Sequence, residues 1–112
     1  LLKTADIISI HVPGTENGIP LISRNELENT KTRVIIINLS RGGVVDEMNL
    51  YKYLKNNPLS FAALDVFNVE PYNGPLAELE NVILTPHLGS YASEAKLGME
   101  TDAVKNLVEY LK

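Results

Sequence analysis

The chain contains no cysteine among its 112 residues. Disulfides, thiolate metal ligands and a cysteine nucleophile are therefore excluded. Lysine and arginine nowhere cluster, and the formal net charge is −4. Extended contact with a phosphate backbone is not expected, so no nucleic-acid partner is anticipated. No apolar run reaches the roughly 20 residues needed to cross a bilayer, and no signal-peptide pattern heads the sequence. No membrane association and a cytoplasmic location are the expectations. The glycine-rich P-loop and the G-x-G-x-x-G dinucleotide fingerprint are both missing, as is the G-x-S-x-G context of a serine nucleophile. His11 and His87 are the two histidines, and neither has a second ligand at metal-binding spacing, so no metal site is expected.

What the chain does have is a high apolar content, 45% hydrophobic against 21% charged, enough for a packed core in one small domain. Short apolar runs alternate with helical patterns. Ile7 to Val12, Val34 to Ile37, Phe61 to Val66 and Val82 to Leu84 read as strands, and continuous runs of this kind suit a parallel sheet. Ser23-Arg24-Asn25-Glu26 reads as a capping box opening a short helix, with Ile22 and Leu27 placed to close a hydrophobic staple. A second helix is predicted from Asp46, turning Met48, Leu50, Tyr51 and Leu54 inward and stopping at Asn56-Asn57-Pro58. A third starts near Ser93-Glu94, and Val104, Leu107, Val108 and Leu111 follow the spacing of a buried face. The alternation predicts an α/β fold, a partial Rossmann-like parallel sheet flanked by helices and joined by right-handed crossovers.

Ligands of open α/β sheets bind beyond the carboxyl ends of the strands. His11, Arg41, Glu70 and His87 all fall at or just past such ends. Arg41 precedes Gly42-Gly43, and its guanidinium has the fork that grips a carboxylate through two hydrogen bonds. The alternative is a solvated loop arginine beside a glycine turn. His87 lies between Pro86 and Leu88-Gly89-Ser90, and imidazole exchanges a proton near neutral pH. The competing reading is a histidine bonded to backbone. Glu70, if it reaches His87, would stabilise imidazolium and orient the ring, although a glutamate before proline is commonly a turn residue. Asp65 ends a strand, where it either accepts from a cofactor amide or caps a helix. Val12-Pro13 offers a rigid apolar wall, and His11 itself reads as structural.

Four segments in order, HVPGT, INLSRGGVVDE, ALDVFNVEP and TPHLGS, resemble the D-isomer-specific 2-hydroxyacid dehydrogenase family, with phosphoglycerate-dehydrogenase-like members nearest. The resemblance covers nearly the whole chain and implies an NAD-dependent oxidoreductase that interconverts a D-2-hydroxy acid and a 2-oxo acid. It implies that Arg41 binds the substrate carboxylate, that His87 is the proton donor and that Glu70 is its partner. It further implies that Asp65 holds the nicotinamide carboxamide. Leu39, Ser40 and Arg41 would line the nicotinamide, His87, Leu88, Gly89 and Ser90 another cofactor-facing edge, and Val12 and Pro13 the ribose or ring. By the same resemblance, residues 1–112 would be the C-terminal part of an NAD-binding Rossmann domain, lacking the phosphate-binding half and the substrate domain. Such a segment would be inactive alone, and its exposed strand edge favours a homodimer. The other role open to the family is an NAD(H)-sensing, corepressor-like binding protein without useful turnover.

Overall fold

The computed structural model describes residues 1–15 and 17–111. Four parallel strands form one sheet: β1 (Ile7–Ile10), β2 (Ile35–Asn38), β3 (Phe61–Leu64) and β4 (Val82–Leu84), in the spatial order β1-β2-β3-β4. The register pairs Ile7 with Ile35, Ile35 with Phe61, and Ala62 with Val82. Consequently all four strands end on the same side, and the loops that follow them share one edge of the sheet. Helix α1 (Arg24–Glu28) lies between β1 and β2, and α2 (Glu47–Asn56) lies between β2 and β3. A short 3-10 helix, Pro75–Glu78, breaks the loop between β3 and β4, and α3 (Ser93–Tyr110) ends the order. The strands β1 to β3 are shorter at one or both ends than the apolar runs that predicted them.

The local causes are visible. The Glu26 carboxylate reaches back over the first turn of α1 to accept from the Ser23 N–H at 3.0 Å and the Ser23 hydroxyl at 2.9 Å. Ile22 and Leu27, the two arms of the staple, are both buried. Asp46 caps α2 by accepting the Asn49 N–H at 2.8 Å. The alternating inward residues Ile8, Ile10, Ile36, Ala62 and Leu64 form one core with Leu27, Leu50, Leu54 and Leu76 from the helical segments. Burying each such leucine contributes about 1.5–3 kcal/mol.

Two expectations about packing need correction. Met48 is half exposed, whereas Leu50 and Leu54 are fully inside, because the turn after the Asp46 cap places Met48 away from the sheet. Helix α3 forms where its pattern predicts, but it buries none of its residues. Val104, Leu107, Val108 and Leu111 are all exposed. The physical reason is that one sheet face is already covered by α1, α2 and the 3-10 helix, while α3 extends away from both faces. The molecule is accordingly elongated, 57 × 26 × 24 Å. The outward-facing strand residues Ile7, Ile35, Phe61 and Ile83 are left uncovered. Among the described residues, no helix is long and apolar enough to cross a membrane.

Candidate active site

Arg41 stands three residues beyond β2, Asp65 directly after β3, Glu70 in the loop that follows, and His87 three residues beyond β4. Adjacent strands lie about 4.8 Å apart, so sequence positions distant along the chain become neighbours along one sheet edge.

The turn carrying Arg41 is braced from below. Asn38, buried at the end of β2, donates from Nδ2 to the Arg41 carbonyl at 3.0 Å. Its Oδ1 accepts the Ser40 N–H at 3.1 Å and the Ser40 hydroxyl at 2.8 Å. The Leu39-Ser40-Arg41 turn is therefore fixed by a single side chain. The Arg41 guanidinium donates to the Ser40 carbonyl at 2.7 Å, and no carboxylate among the described residues pairs with it. An exposed guanidinium on a fixed turn, without an internal counter-ion, is suited to an external anion.

Gly42 shows why glycine follows Arg41. A Cβ there would meet the Phe67 carbonyl oxygen at 1.9 Å and its carbon at 2.3 Å. The loop after β2 thus lies directly on the backbone of the loop after β3, an approach closed to any side chain. Gly14, in the loop after β1, borders the other flank, with the Arg41 Cβ in ordinary contact distance, 3.9 Å, of where its own Cβ would stand.

The sequence brings Glu70 and His87 together as expected. His87 Nδ1 lies 2.9 Å from Glu70 Oε2 and 3.2 Å from Oε1. A carboxylate only accepts, so Nδ1 carries the proton and Nε2 is left to act outward. Glu70 is itself held by the Phe67 N–H at 3.0 Å. The His87 bond first, and the Phe67 N–H second, keep the Glu70 carboxyl below the ordinary glutamate range. His87 has φ +56, a left-handed backbone that costs a residue bearing a Cβ roughly 1–3 kcal/mol unless its surroundings impose it.

Asp65 is 5% exposed, and its acceptors are engaged by the His87 loop. Oδ1 receives the Thr85 hydroxyl and the Leu88 N–H, and Oδ2 receives the Gly89 N–H. Burial works to raise its pKa, but those three donors together outweigh it and the carboxyl ends below its usual value. Asp65 thereby ties down the loop that carries His87, a use beside the two alternatives its strand-end position offered. Thr85 was likewise absent from the residues singled out in the sequence. The available signal was a hydroxyl two positions before His87, at the end of a strand beside the acidic strand end.

A hollow of about 320 Å³ is lined by His11, Val12, Pro13, Leu39, Ser40 and Arg41. It joins the Val12-Pro13 wall to the Arg41 turn. His11 itself bonds Ser9, Nε2 to Oγ at 2.7 Å. The lining is of a kind that fits the nicotinamide end of a dinucleotide: an apolar wall, a braced turn and a side-chain cation nearby. Two larger hollows lie elsewhere, one between α1 and α2 and one between Gly14–Pro20 and the start of α2. Neither is lined by His87 or Glu70.

An open parallel sheet with a cation, a carboxylate and an imidazole on its carboxyl edge defines a dehydrogenase-type nucleotide-binding unit. The chain belongs to the D-isomer specific 2-hydroxyacid dehydrogenase family: residues 1–89 match its NAD binding domain. It is 47% identical, over its whole length, to a glyoxylate reductase of Thermococcus litoralis, of which it spans 34%. It is 40% identical to a D-3-phosphoglycerate dehydrogenase of Archaeoglobus fulgidus, again over the whole chain and 22% of that protein. The fold superposes on the crystal structure of a glyoxylate reductase from Paecilomyes thermophila with a TM-score of 0.92 at 28% identity, covering 99% of this chain and 34% of that one. The NAD-complexed D-isomer specific 2-hydroxyacid dehydrogenase of Lactobacillus delbrueckii ssp. bulgaricus gives 0.85 at 27% identity, covering 98% and 38%. The chain thus spans about a third or less of the length of these curated relatives.

Proposed function

We propose that these residues are the nicotinamide-side, C-terminal part of the NAD-binding domain of a D-2-hydroxyacid dehydrogenase, whose remaining parts supply the phosphate cradle and the substrate domain. The single observation carrying this reading is the Glu70–His87 contact on the same sheet edge as a braced Arg41 that no carboxylate among the described residues pairs with. Arg41 takes the carboxylate of a small 2-oxo acid in a two-pronged grip, which fixes the plane of the adjacent carbonyl. Glu70 holds Nδ1–H of His87 and fixes the ring, so that Nε2 faces the carbonyl oxygen and delivers a proton there. The nicotinamide, when bound, supplies the hydride. Val12 and Pro13 press on its ring or ribose, Leu39 and Ser40 border it, and the segment from His87 through Leu88, Gly89 and Ser90 forms the opposite edge. Asp65 keeps one Oδ2 lone pair that a carboxamide N–H can use.

The chain carries no dinucleotide phosphate loop of its own, so the isolated 112 residues are inactive in this reading. The free edge of β1 and the uncovered sheet face support a homodimer. The test is NADH and NADPH oxidation by the full-length protein against glyoxylate, hydroxypyruvate, pyruvate and 3-phosphohydroxypyruvate, with His87→Ala and Arg41→Ala alongside. Rapid turnover of one acid, lost in both variants, is expected. Tight NADH binding without turnover of any acid would overturn the enzymatic reading in favour of a nucleotide-sensing role.

A further inference from the structure

We propose that Thr85 and Asp65 act as a positioning pair that holds His87 in its working pose, a role resting on the reading of His87 as the proton donor. The three donors on the Asp65 carboxylate come from positions 85, 88 and 89, which bracket His87 on both sides. They are the Thr85 hydroxyl at 2.5 Å, the Leu88 N–H at 2.8 Å and the Gly89 N–H at 3.0 Å. Between them, His87 keeps its left-handed φ of +56. A conformation of this kind persists only where the surroundings over-determine it.

Thr85 is the junction. Its N–H donates to the Leu64 carbonyl of β3 at 3.0 Å, and its carbonyl accepts the His87 N–H at 3.0 Å. Its hydroxyl goes to Asp65. The backbone of His87 is thereby fixed by one carboxylate at the exit of β3, and its ring by another, Glu70, five residues on. A shift of the backbone carries Nδ1 off the Glu70 oxygens, and among the described residues no other side chain bonds the ring to hold it in place. The hydroxyl is therefore the working group of Thr85, and its methyl is not. Deleting the hydroxyl also strips a nearly inaccessible carboxylate of one of three donors, and such a group pays for each lost partner.

The experiment uses the full-length protein with ¹⁵N-labelled histidine rings, in the unsubstituted form and as Thr85→Ser and Thr85→Val. Long-range ¹H–¹⁵N spectra, taken where His87 is neutral, read which ring nitrogen bears the proton. The unsubstituted protein and Thr85→Ser show the Nδ1–H form imposed by Glu70. Thr85→Val loses at least about half of that population, and kcat falls about tenfold to a hundredfold while KM for the cofactor changes less than about twofold. Retention of both the Nδ1–H form and kcat in Thr85→Val would overturn the proposal. So would a Thr85→Ser variant behaving like Thr85→Val, since that would make the residue a packing element. If Thr85→Val does not fold, hydrogen exchange of the Leu88 and Gly89 amides in the unsubstituted protein decides: protection supports the pair, rapid exchange refutes it. The spectra need neither cofactor nor acid. A positive tautomer result without turnover would therefore sink the dehydrogenase reading while leaving the pair intact.

Discussion

Gly42→Ala isolates the contact that binds the Arg41 turn to the Glu70 loop. The new Cβ would stand 1.9 Å from the Phe67 oxygen, 2.3 Å from the Phe67 carbon and 2.9 Å from the Asn68 nitrogen. All three are backbone atoms, so no side chain can rotate away. Real Cβ atoms stay beyond 3.0 Å, and the two loops must therefore part by 3.0 − 1.9 = 1.1 Å or more. Each loop is anchored behind the clash. Asn38 holds the Arg41 carbonyl, Glu70 holds the Phe67 N–H and Glu47 holds the Asn68 N–H at 2.7 Å. Overpacking of this kind costs about 1–3 kcal/mol, a fall of roughly 4–12 °C in Tm at about 4 °C per kcal/mol. Displacing Arg41 from the Glu70–His87 pair by about 1 Å lowers kcat/KM roughly a hundredfold. Differential scanning calorimetry and steady-state kinetics on the full-length protein read both effects. Gly98→Ala is the control, since its Cβ meets nothing within 4 Å on α3 and alanine stabilises a helix interior by about 0.5–1 kcal/mol. A Gly42→Ala protein with unchanged Tm and kcat/KM would refute the close-approach argument.

Asn38→Ala removes the brace under Arg41 and leaves the Arg41 carbonyl and Ser40 N–H without partners, costing about 1–3 kcal/mol; urea denaturation should show the loss, and KM for the acid should rise more than KM for NADH. The Glu70 carboxyl sits below its ordinary value near 4.5 in the folded chain. Its stabilisation is therefore complete above that value and is lost as pH falls through the depressed one. Urea midpoints between pH 5 and 3 should fall less steeply in Glu70→Gln, and an identical slope would contradict the contact with His87. Leu50→Ala, at a fully buried site between α2 and the sheet, should cost about 2–5 kcal/mol in the same assay.

The parallel α/β order was legible because its signals are local. The β-branched run ending in Ile37, the Ser23–Glu26 box and the Asp46 cap each depend on residues within one turn or strand. The Glu70–His87 contact was legible for a different reason: strand ends gather at one edge, so the loops after β3 and β4 become neighbours. Asp65 was recognised as a strand-end acid, but its partner set was not. The bonds to Thr85, Leu88 and Gly89 span 20 to 24 residues, and two of the three donors are backbone amides whose identity leaves no trace in sequence. The bracing by Asn38 was hidden similarly, since an asparagine at a strand end reads as a turn residue. The 3-10 helix Pro75–Glu78, a single turn opened by a proline, was not anticipated.

The misreading of α3 has a physical lesson for amphipathic patterns. Spacing of the i, i+3, i+4, i+7 kind shows that a helix has an apolar side; it says nothing about which surface receives it. Here α1 and α2 face the sheet and leave Leu50 and Leu54 fully inside, whereas Val104 and Val108 on α3 stay exposed. The sheet's outer residues, Ile7, Ile35, Phe61 and Ile83, are open in the same way. Continuous apolar strands are the mark of a sheet covered on both faces, and this sheet is covered on one. The apolar character of the second face therefore records burial that these 112 residues do not provide, and the relatives are roughly three or more times longer. The core that positions Asn38, Asp65 and the loops above them is built on the covered face. For that reason the Glu70–His87 contact and the Arg41 brace are complete within the chain.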